Sequence, residues 1–328
     1  MPDSSLKGKT VVITGASSGV GRATAISFAQ SGAQLVLAAR RKEALEDVAN
    51  ECREYGARTT YVVTDVTDIQ QVQALAAAAI EFGTGVIDVW VNNAGVLNVG
   101  AFTDTPMAAH EQVIKTNLIG YLHGAYAALP FFKKQGYGIL INNISVGAWT
   151  PTPYAIGYAA SKFGLRGFSQ SLRGELIDFP HIHVCDVFPG FLDTPGIQHA
   201  GNYTGVVLNP ARPVYDPMSV GKTFVSMAIC PRNEEMVGSA AFLLRAAHFL
   251  APSLTARIAA RVMKTYFKKA KPIAETSGNI FEPVEYGSSI YGGWRPPASP
   301  QKKALLRTLM VTGLAVGLLL LRRKDFRF

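Results

Sequence analysis

Six short runs rich in Val and Ile recur along residues 10–188, and a stretch of helical periodicity follows each of the first five. The runs are "TVVIT" (10–14), "QLVLAA" (34–39), "TTYVVT" (59–64), "IDVWVN" (87–92), "GILINNI" (138–144) and "IHVCDVF" (182–188). Between them, "EALEDVANECREYG" (43–56) sets Leu45, Val48, Ala49 and Cys52 on one helical face, and the longest helical patterns lie near 107–134 and 154–179. Strands that are apolar on both sides must be covered on both sides, and regular strand–helix alternation builds right-handed crossovers. The pattern predicts an α/β fold, a doubly wound parallel sheet with helices on both faces, over residues 1–240.

Charge divides the chain differently. Up to Glu235 there are 17 Lys and Arg against 19 Asp and Glu, whereas from Met236 onward there are 15 against 4. The first part is an ordinary soluble mixture; the last 93 residues call for an anionic partner, a nucleic acid or a membrane surface. Three scattered cysteines, Cys52, Cys185 and Cys230, have no metal-ligand spacing and suit a reducing compartment. No metal is expected, and no secretion, since "MPDSSLKGKTVVIT" has no apolar signal core.

"TGASSGVGRA" places Gly15, Gly19 and Gly21 between the first strand and the first helix. In a doubly wound sheet this turn takes dinucleotide phosphates: glycines admit the backbone close to the pyrophosphate, and free helix N–H groups hold its charge. A plain glycine-rich helix start is the simpler alternative. After the second strand comes "VLAARRKEAL", with no acid for a ribose 2′-OH but with Arg40, Arg41 and Lys42. Cations at a helix N-terminus oppose its dipole, so a nearby anion explains them better than solvent does. The guanidinium fork of Arg40 suits a 2′-phosphate, which predicts NADPH (NADP+) as cofactor.

Further motifs follow the strands in order: "DVT" (65–67), "NNAG" (92–95), "SVGAW" from Ser145 and "FPGFLDT" (188–194). "PYAIGYAASKFG" (153–164) adds Tyr154, Tyr158 and Lys162 in steps of four, which share one helical face. Taken together these resemble the short-chain dehydrogenase/reductase family over roughly residues 7–240, with the Rossmann fold that implies. Tyr158 with Lys162, Ser145 thirteen residues earlier, Asn117 upstream and the glycine turn at the start carry the resemblance. It implies an NAD(P)-dependent oxidoreductase acting on CH–OH groups.

By that resemblance Tyr158 is the acid/base, Lys162 lowers its pKa and binds the nicotinamide ribose, Ser145 orients the carbonyl, and Asn117 holds a water on the proton path. Gly15, Ser17, Ser18, Gly19, Val20, Gly21 and Arg40 would bind the cofactor with Asp65, Val66, Asn93, Ala94 and Gly95. Pro189, Gly190 and Thr194 would hold the nicotinamide carboxamide. A free tyrosine, with a pKa near 10, is too weak an acid to cycle protons at neutral pH; a nearby Lys⁺ and an oxidised nicotinamide favour phenolate. Tyr154, two helical turns from Lys162, is expected to line the pocket or pack beneath it. The residues Trp149, Pro151, Pro153, Tyr154, Phe191 and Leu192, under a long irregular lid at 196–217, favour a bulky apolar carbonyl or alcohol substrate.

Beyond Gly238 the resemblance thins, and a weak last strand is expected near 235–238. Residues 241–275 interleave Arg257, Arg261, Lys264, Lys268, Lys269 and Lys271 with Phe242, Leu250, Ile258, Val262, Met263 and Phe267, the pattern of a basic interfacial helix. So much aliphatic surface points to membrane lipid and no nucleic acid. Residues 276–303 read as a Gly/Pro/Ser-rich linker. Residues 304–328 form a C-terminal hydrophobic tail whose 18 residues 304–321 would reach about 27 Å as a helix, close to a hydrocarbon core, between basic flanks. The expectation is a membrane anchor, the catalytic domain in the cytoplasm; a buried helix is the alternative.

The leading reading is thus a membrane-associated, NADPH-dependent carbonyl reductase, a homo-oligomer as is common in the family. A non-catalytic NADP(H)-binding membrane adaptor is the reading from another class. The complete set Asn117, Ser145, Tyr158 and Lys162 counts against it, because a binder has no need of all four.

Overall fold

A computed structural model describes residues 5–295. The elements run β1 (Thr10–Thr14), α1 (Gly19–Gln30), β2 (Gln34–Ala39), α2 (Lys42–Glu54), β3 (Thr59–Val63), α3 (Ile69–Phe82), β4 (Val89–Asn92) and β5 (Asn98–Gly100). Next come α4 (Met107–Ile114), a π-helical turn Lys115–Ile119, α5 (Gly120–Gln135), β6 (Gly138–Asn143), α6 (Ile156–Glu175) and β7 (Ile182–Pro189). The chain continues through β8 (Gly201–Tyr203), α7 (Pro217–Ile229), β9 (Glu234–Val237), α8 (Ser239–Leu250) and α9 (Pro252–Lys269).

Seven strands form one parallel sheet in the order β3-β2-β1-β4-β6-β7-β9. Successive side chains of a strand point to opposite faces. In β1, Val11 and Ile13 therefore enter one core with Phe28, Leu45 and Phe224, while Val12 enters the other with Leu75, Trp90 and Phe132. Each of these aromatic side chains is fully buried, and truncating Phe224 to Ala would cost about 3–5 kcal/mol. The order reverses beside β1, since β2 and β3 lie to one side and β4, β6, β7 and β9 to the other. Such a reversal opens a crevice at the carboxyl ends of the strands.

Three departures from the expected organisation bear on the site. The segment expected as an irregular lid holds β8, which pairs in parallel with β5. That segment is also pinned from below, because the Tyr266 hydroxyl donates to the Val207 carbonyl at 2.6 Å. Residues 276–294, expected as a linker, are laid along the carboxyl ends of the strands through hydrogen bonds to their main-chain groups, which a residue pattern does not encode.

Residues 5–294 fall within one compact unit. The hydrophobic tail expected at 304–328 lies outside the described residues. Among the described residues no helix is long and apolar enough to cross a membrane.

Candidate active site

β1 ends at Thr14, and the chain turns through Gly15 at φ +64° before α1 begins at Gly19. A Cβ on Gly15 would sit 2.6 Å from the Ala94 Cα, and one on Gly21 would strike the Gly15 carbonyl, so both positions exclude any side chain. Ser18 stands at the N-cap of α1 in extended backbone, without a side-chain cap. The N–H groups of the first helical turn thus have no intrahelical partner and face the crevice with the positive end of the helix dipole. Ser17 and Val20, half-buried, flank this turn.

The neighbouring strand ends are bolted to it. The Thr14 hydroxyl accepts from the Asn93 and Ala94 N–H groups at 2.9 and 3.2 Å, and the Asn93 amide donates to the Thr14 and Gly15 carbonyls. Asn143, at the end of β6, donates from its side-chain amide to Asn93 Oδ1 at 2.8 Å. Gly95 lies beside Asn117, whose Oδ1 a Cβ there would meet at 3.3 Å. After β3, Thr67 N–H donates to the Asp65 carboxylate, and the Val66 carbonyl is bonded to His123. Across the crevice Gly190 N–H bonds the Val237 carbonyl, following Pro189 at the end of β7. Thr194 closes the gap to the glycine turn: its Cβ would stand 3.3 Å from a Cβ on Gly19.

Ser145 follows β6 at φ +148°, a conformation that costs an L residue strain and is found where a side chain must be aimed. Its Oγ accepts from Gly147 N–H at 3.1 Å and is hydrogen-bonded to Tyr158 on α6. Lys162, one turn on, is 4 % exposed; its ammonium donates to the Asn143 carbonyl at 3.1 Å and stands 5.7 Å from the Tyr158 ring centroid. Ser145, Tyr158 and Lys162 therefore converge on one point, Tyr158 and Lys162 through their four-residue spacing and Ser145 through the turn after β6.

The electrostatics depart from expectation. Burial raises the Tyr158 pKa, and the Ser145 hydrogen bond opposes it only partly. Burial also lowers the Lys162 ammonium to about 7. The protein's own atoms thus bias the pair toward neutral phenol and neutral amine, rather than toward phenolate and ammonium. Asn117 sits fully buried in the π-helical turn; its Oδ1 accepts from Val96 N–H and its Nδ2 donates to the Val96 carbonyl, both at 2.8 Å, and to the Ser161 hydroxyl at 3.4 Å.

Two residues of the site escaped sequence reading. Tyr121, on α5, lies fully buried under the Lys162 ammonium, 5.1 Å from its ring centroid. Its hydroxyl donates to the same Asn143 carbonyl at 2.9 Å. A Tyr and an Asn of no special spacing carry no signal before the fold joins them.

The aromatics assigned to the pocket divide. Trp149 is clamped between the guanidinium groups of Arg166 and Arg245, 3.7 and 3.6 Å from its ring centroid, so its two faces are taken by cations. Tyr154 sits at φ +64° and packs edge-on against Phe267 of α9 at 5.0 Å. Phe191 does line a cavity of about 410 Å³, with Pro213, Leu243, Leu244 and Ala247. A cavity of about 230 Å³ beside Asp88, Gly138 and His181 lies where strands begin, at the end of the sheet away from this chemistry.

A parallel sheet with a glycine turn at its first crossover and a Ser–Tyr–Lys set at the adjoining strand end defines a nucleotide-dependent oxidoreductase. The comparisons with known proteins agree. The family model of short chain dehydrogenase matches residues 9–202. An uncharacterized oxidoreductase of Bacillus subtilis, YxnA, is 32 % identical over 322 residues, covering 95 % of this chain and 89 % of its own length. Among solved structures, actinorhodin polyketide ketoreductase with NADPH is similar, with a TM-score of 0.64 and 26 % identity over 72 % of this chain and 97 % of that one. An alcohol dehydrogenase of Thermococcus sibiricus complexed with 5-hydroxy-NADP gives a TM-score of 0.60 and 27 % identity over 70 % of this chain and 95 % of that one. The chain belongs to the short-chain dehydrogenase family, and is an NAD(P)-dependent oxidoreductase acting on CH–OH groups.

Proposed function

We propose that this protein is an NADPH-dependent reductase that interconverts a carbonyl and an alcohol on a bulky apolar substrate at a membrane surface. The convergence of Ser145, Tyr158 and Lys162 carries the reading. The residues present fit the cofactor: a side-chain-free cradle at Gly15 and Gly21, helix N–H groups without intrahelical partners and the Arg40 guanidinium form an anion-binding donor set. NADP(H) rather than NAD(H) is supported by Arg40 and by the NADP ligands of the two similar solved structures.

When bound, NADPH supplies a hydride to the substrate carbon. Every other task falls to the chain. The Ser145 hydroxyl donates to the carbonyl oxygen as negative charge develops there, a contribution of about 3 kcal/mol for a well-placed donor. The Tyr158 hydroxyl, kept protonated by burial, gives its proton to that oxygen. Lys162, its ammonium lowered by burial to about 7, can give up a proton near neutral pH and is the nearest cation to the phenol it would recharge. Pro189, Gly190 and Thr194 are the residues we assign to the nicotinamide end, and Asp65, Val66, Asn93, Ala94 and Gly95 to the adenosine end.

The apolar cavity beside Phe191 supports a bulky hydrophobic substrate. Membrane association is supported by α8 and α9. Phe249 and Leu250 are 85 % and 80 % exposed, and Leu254, Ile258 and Val262 form an exposed stripe at helical spacing. Arg257, Arg261, Lys264 and Lys268 run beside that stripe, as on an interfacial helix. Three free cysteines support a cytoplasmic setting.

The test is NADPH consumption by detergent-solubilised protein against a panel of apolar ketones and aldehydes. Turnover should fall about 10²–10⁴-fold in Tyr158→Phe and stay within a few-fold of wild type in Tyr154→Phe. Full turnover by Tyr158→Phe would refute the assignment.

A further inference from the structure

The C-terminal strap, residues 278–294, occupies the hydrogen-bond donors that the cofactor reading reserves for phosphate. Gly19 N–H, at the first turn of α1, donates to the Ser289 carbonyl at 3.0 Å. Arg22 donates to the Ser288 carbonyl at 3.0 Å. The two ends of the Arg40 guanidinium donate to the Phe281 and Asn279 carbonyls at 2.8 and 2.6 Å, and Arg41 donates to the Val284 carbonyl at 2.8 Å. Every one of these acceptors is a main-chain carbonyl from a single stretch of chain. They stand where phosphate oxygens would stand, and the Glu282 carboxylate adds a negative charge facing Arg40.

The strap is held at both ends. Ile280 is fully buried beside Val96, Ala109 and Val113, in the cluster against which Tyr158 packs. At the far end, Trp294 donates from its main chain to the Asp193 carboxylate at 2.7 Å and from its indole to the Thr194 carbonyl at 2.9 Å. Beside the first anchor, Asn279 Oδ1 is buried without a hydrogen-bond partner among the described residues. Neutral carbonyls also make weaker acceptors than phosphate, whose charge-assisted hydrogen bonds are roughly twice as strong.

We propose that the 278–294 strap is an internal competitor for the dinucleotide, its carbonyls holding the donors of Gly19 and Arg40 until the cofactor's phosphates displace them. The inference rests on the NADP(H) reading above. It requires the strap to leave as the cofactor arrives, so that affinity for NADPH is the groove's own affinity less the strap's hold.

Hydrogen–deuterium exchange of the full chain, with and without saturating NADPH, reads the strap directly. The amides of Asn279 and Gly292, bonded to the His199 and Asp193 carbonyls, should exchange at least threefold faster with NADPH. Slower or unchanged exchange would mean a strap that clamps over the cofactor or ignores it, and would overturn the proposal. Trp294→Ala and Tyr286→Ala, the latter removing the edge contact to His199 at 5.6 Å, should each tighten the NADPH dissociation constant threefold or more. Unchanged or weaker binding in both variants overturns it as well, while leaving the cofactor assignment intact. A wild-type chain and variants that all fail to bind NADPH would overturn the cofactor assignment, and the competitor with it.

Discussion

The Lys162 ammonium and the Tyr121 hydroxyl meet on one carbonyl oxygen, that of Asn143, at 3.1 and 2.9 Å. A carbonyl has two lone pairs, so neither donor displaces the other. Tyr121 thereby fixes the acceptor that aims Lys162. Burial pushes the Tyr121 phenol well above its usual pKa, which keeps it a donor throughout the working range.

Tyr121→Phe should lower kcat about three- to tenfold, the effect of one hydrogen bond worth about 1 kcal/mol. It should also move the acidic limb of the kcat profile, because Lys162 loses the neighbour that orders its acceptor. An unshifted profile with unchanged kcat would make Tyr121 a packing residue only.

Arg40→Ala should weaken NADPH binding about 10-fold or more relative to NADH, whose affinity should not fall because the strap loses two of its bonds as well. A guanidinium fork on a phosphate is among the stronger ionic contacts, and the 2′-OH of NADH gives it nothing comparable. Paired titrations with the two cofactors decide this, and an equal loss for both would place Arg40 away from the 2′-position.

Lys162 should destabilise the cofactor-free protein. Its folded pKa of about 7 lies below the unfolded value near 10.4, so the unfolded chain holds the extra proton between those limits. Stability therefore rises with pH from about 7 to about 10, and falls to its floor as pH drops through 7. Lys162→Met should abolish that slope and stabilise the protein at pH 7 by about 5 kcal/mol at most. Parallel wild-type and variant curves from chemical denaturation across this range would rule it out.

Replacing Lys264, Lys268 and Lys269 by Gln should reduce binding to vesicles containing a third of anionic lipid by about two orders of magnitude. Each basic residue near such a surface contributes about 1 kcal/mol. Wild-type binding should also weaken with added salt. Sedimentation with neutral vesicles supplies the control, and equal binding of both proteins would remove electrostatics from the reading.

The strands and most helices were legible because burial on two faces writes itself as Val and Ile runs. Even the weak "EEMV" appears as β9, pairing with β7. β5 and β8 were not legible: "NVG" and "GNY" carry no period, and they pair only because the chain brings them together. Tyr158 and Lys162 were legible because their spacing is local, and Ser145 through the family resemblance. Trp149 misled because an aromatic near a site reads the same whether it faces substrate or two guanidinium groups. The strap was invisible for a deeper reason: it binds through carbonyl oxygens, which every residue has.

The contact between Arg22 and Ser288 spans 266 positions, nearly the length of the chain. At about 5–20 residues per second, the glycine turn leaves the ribosome tens of seconds before the strap is made. During that interval the groove has no internal occupant. A growing chain can meet its dinucleotide before it meets its own last segment, so folding in the cell and refolding of the finished chain begin from different competitors.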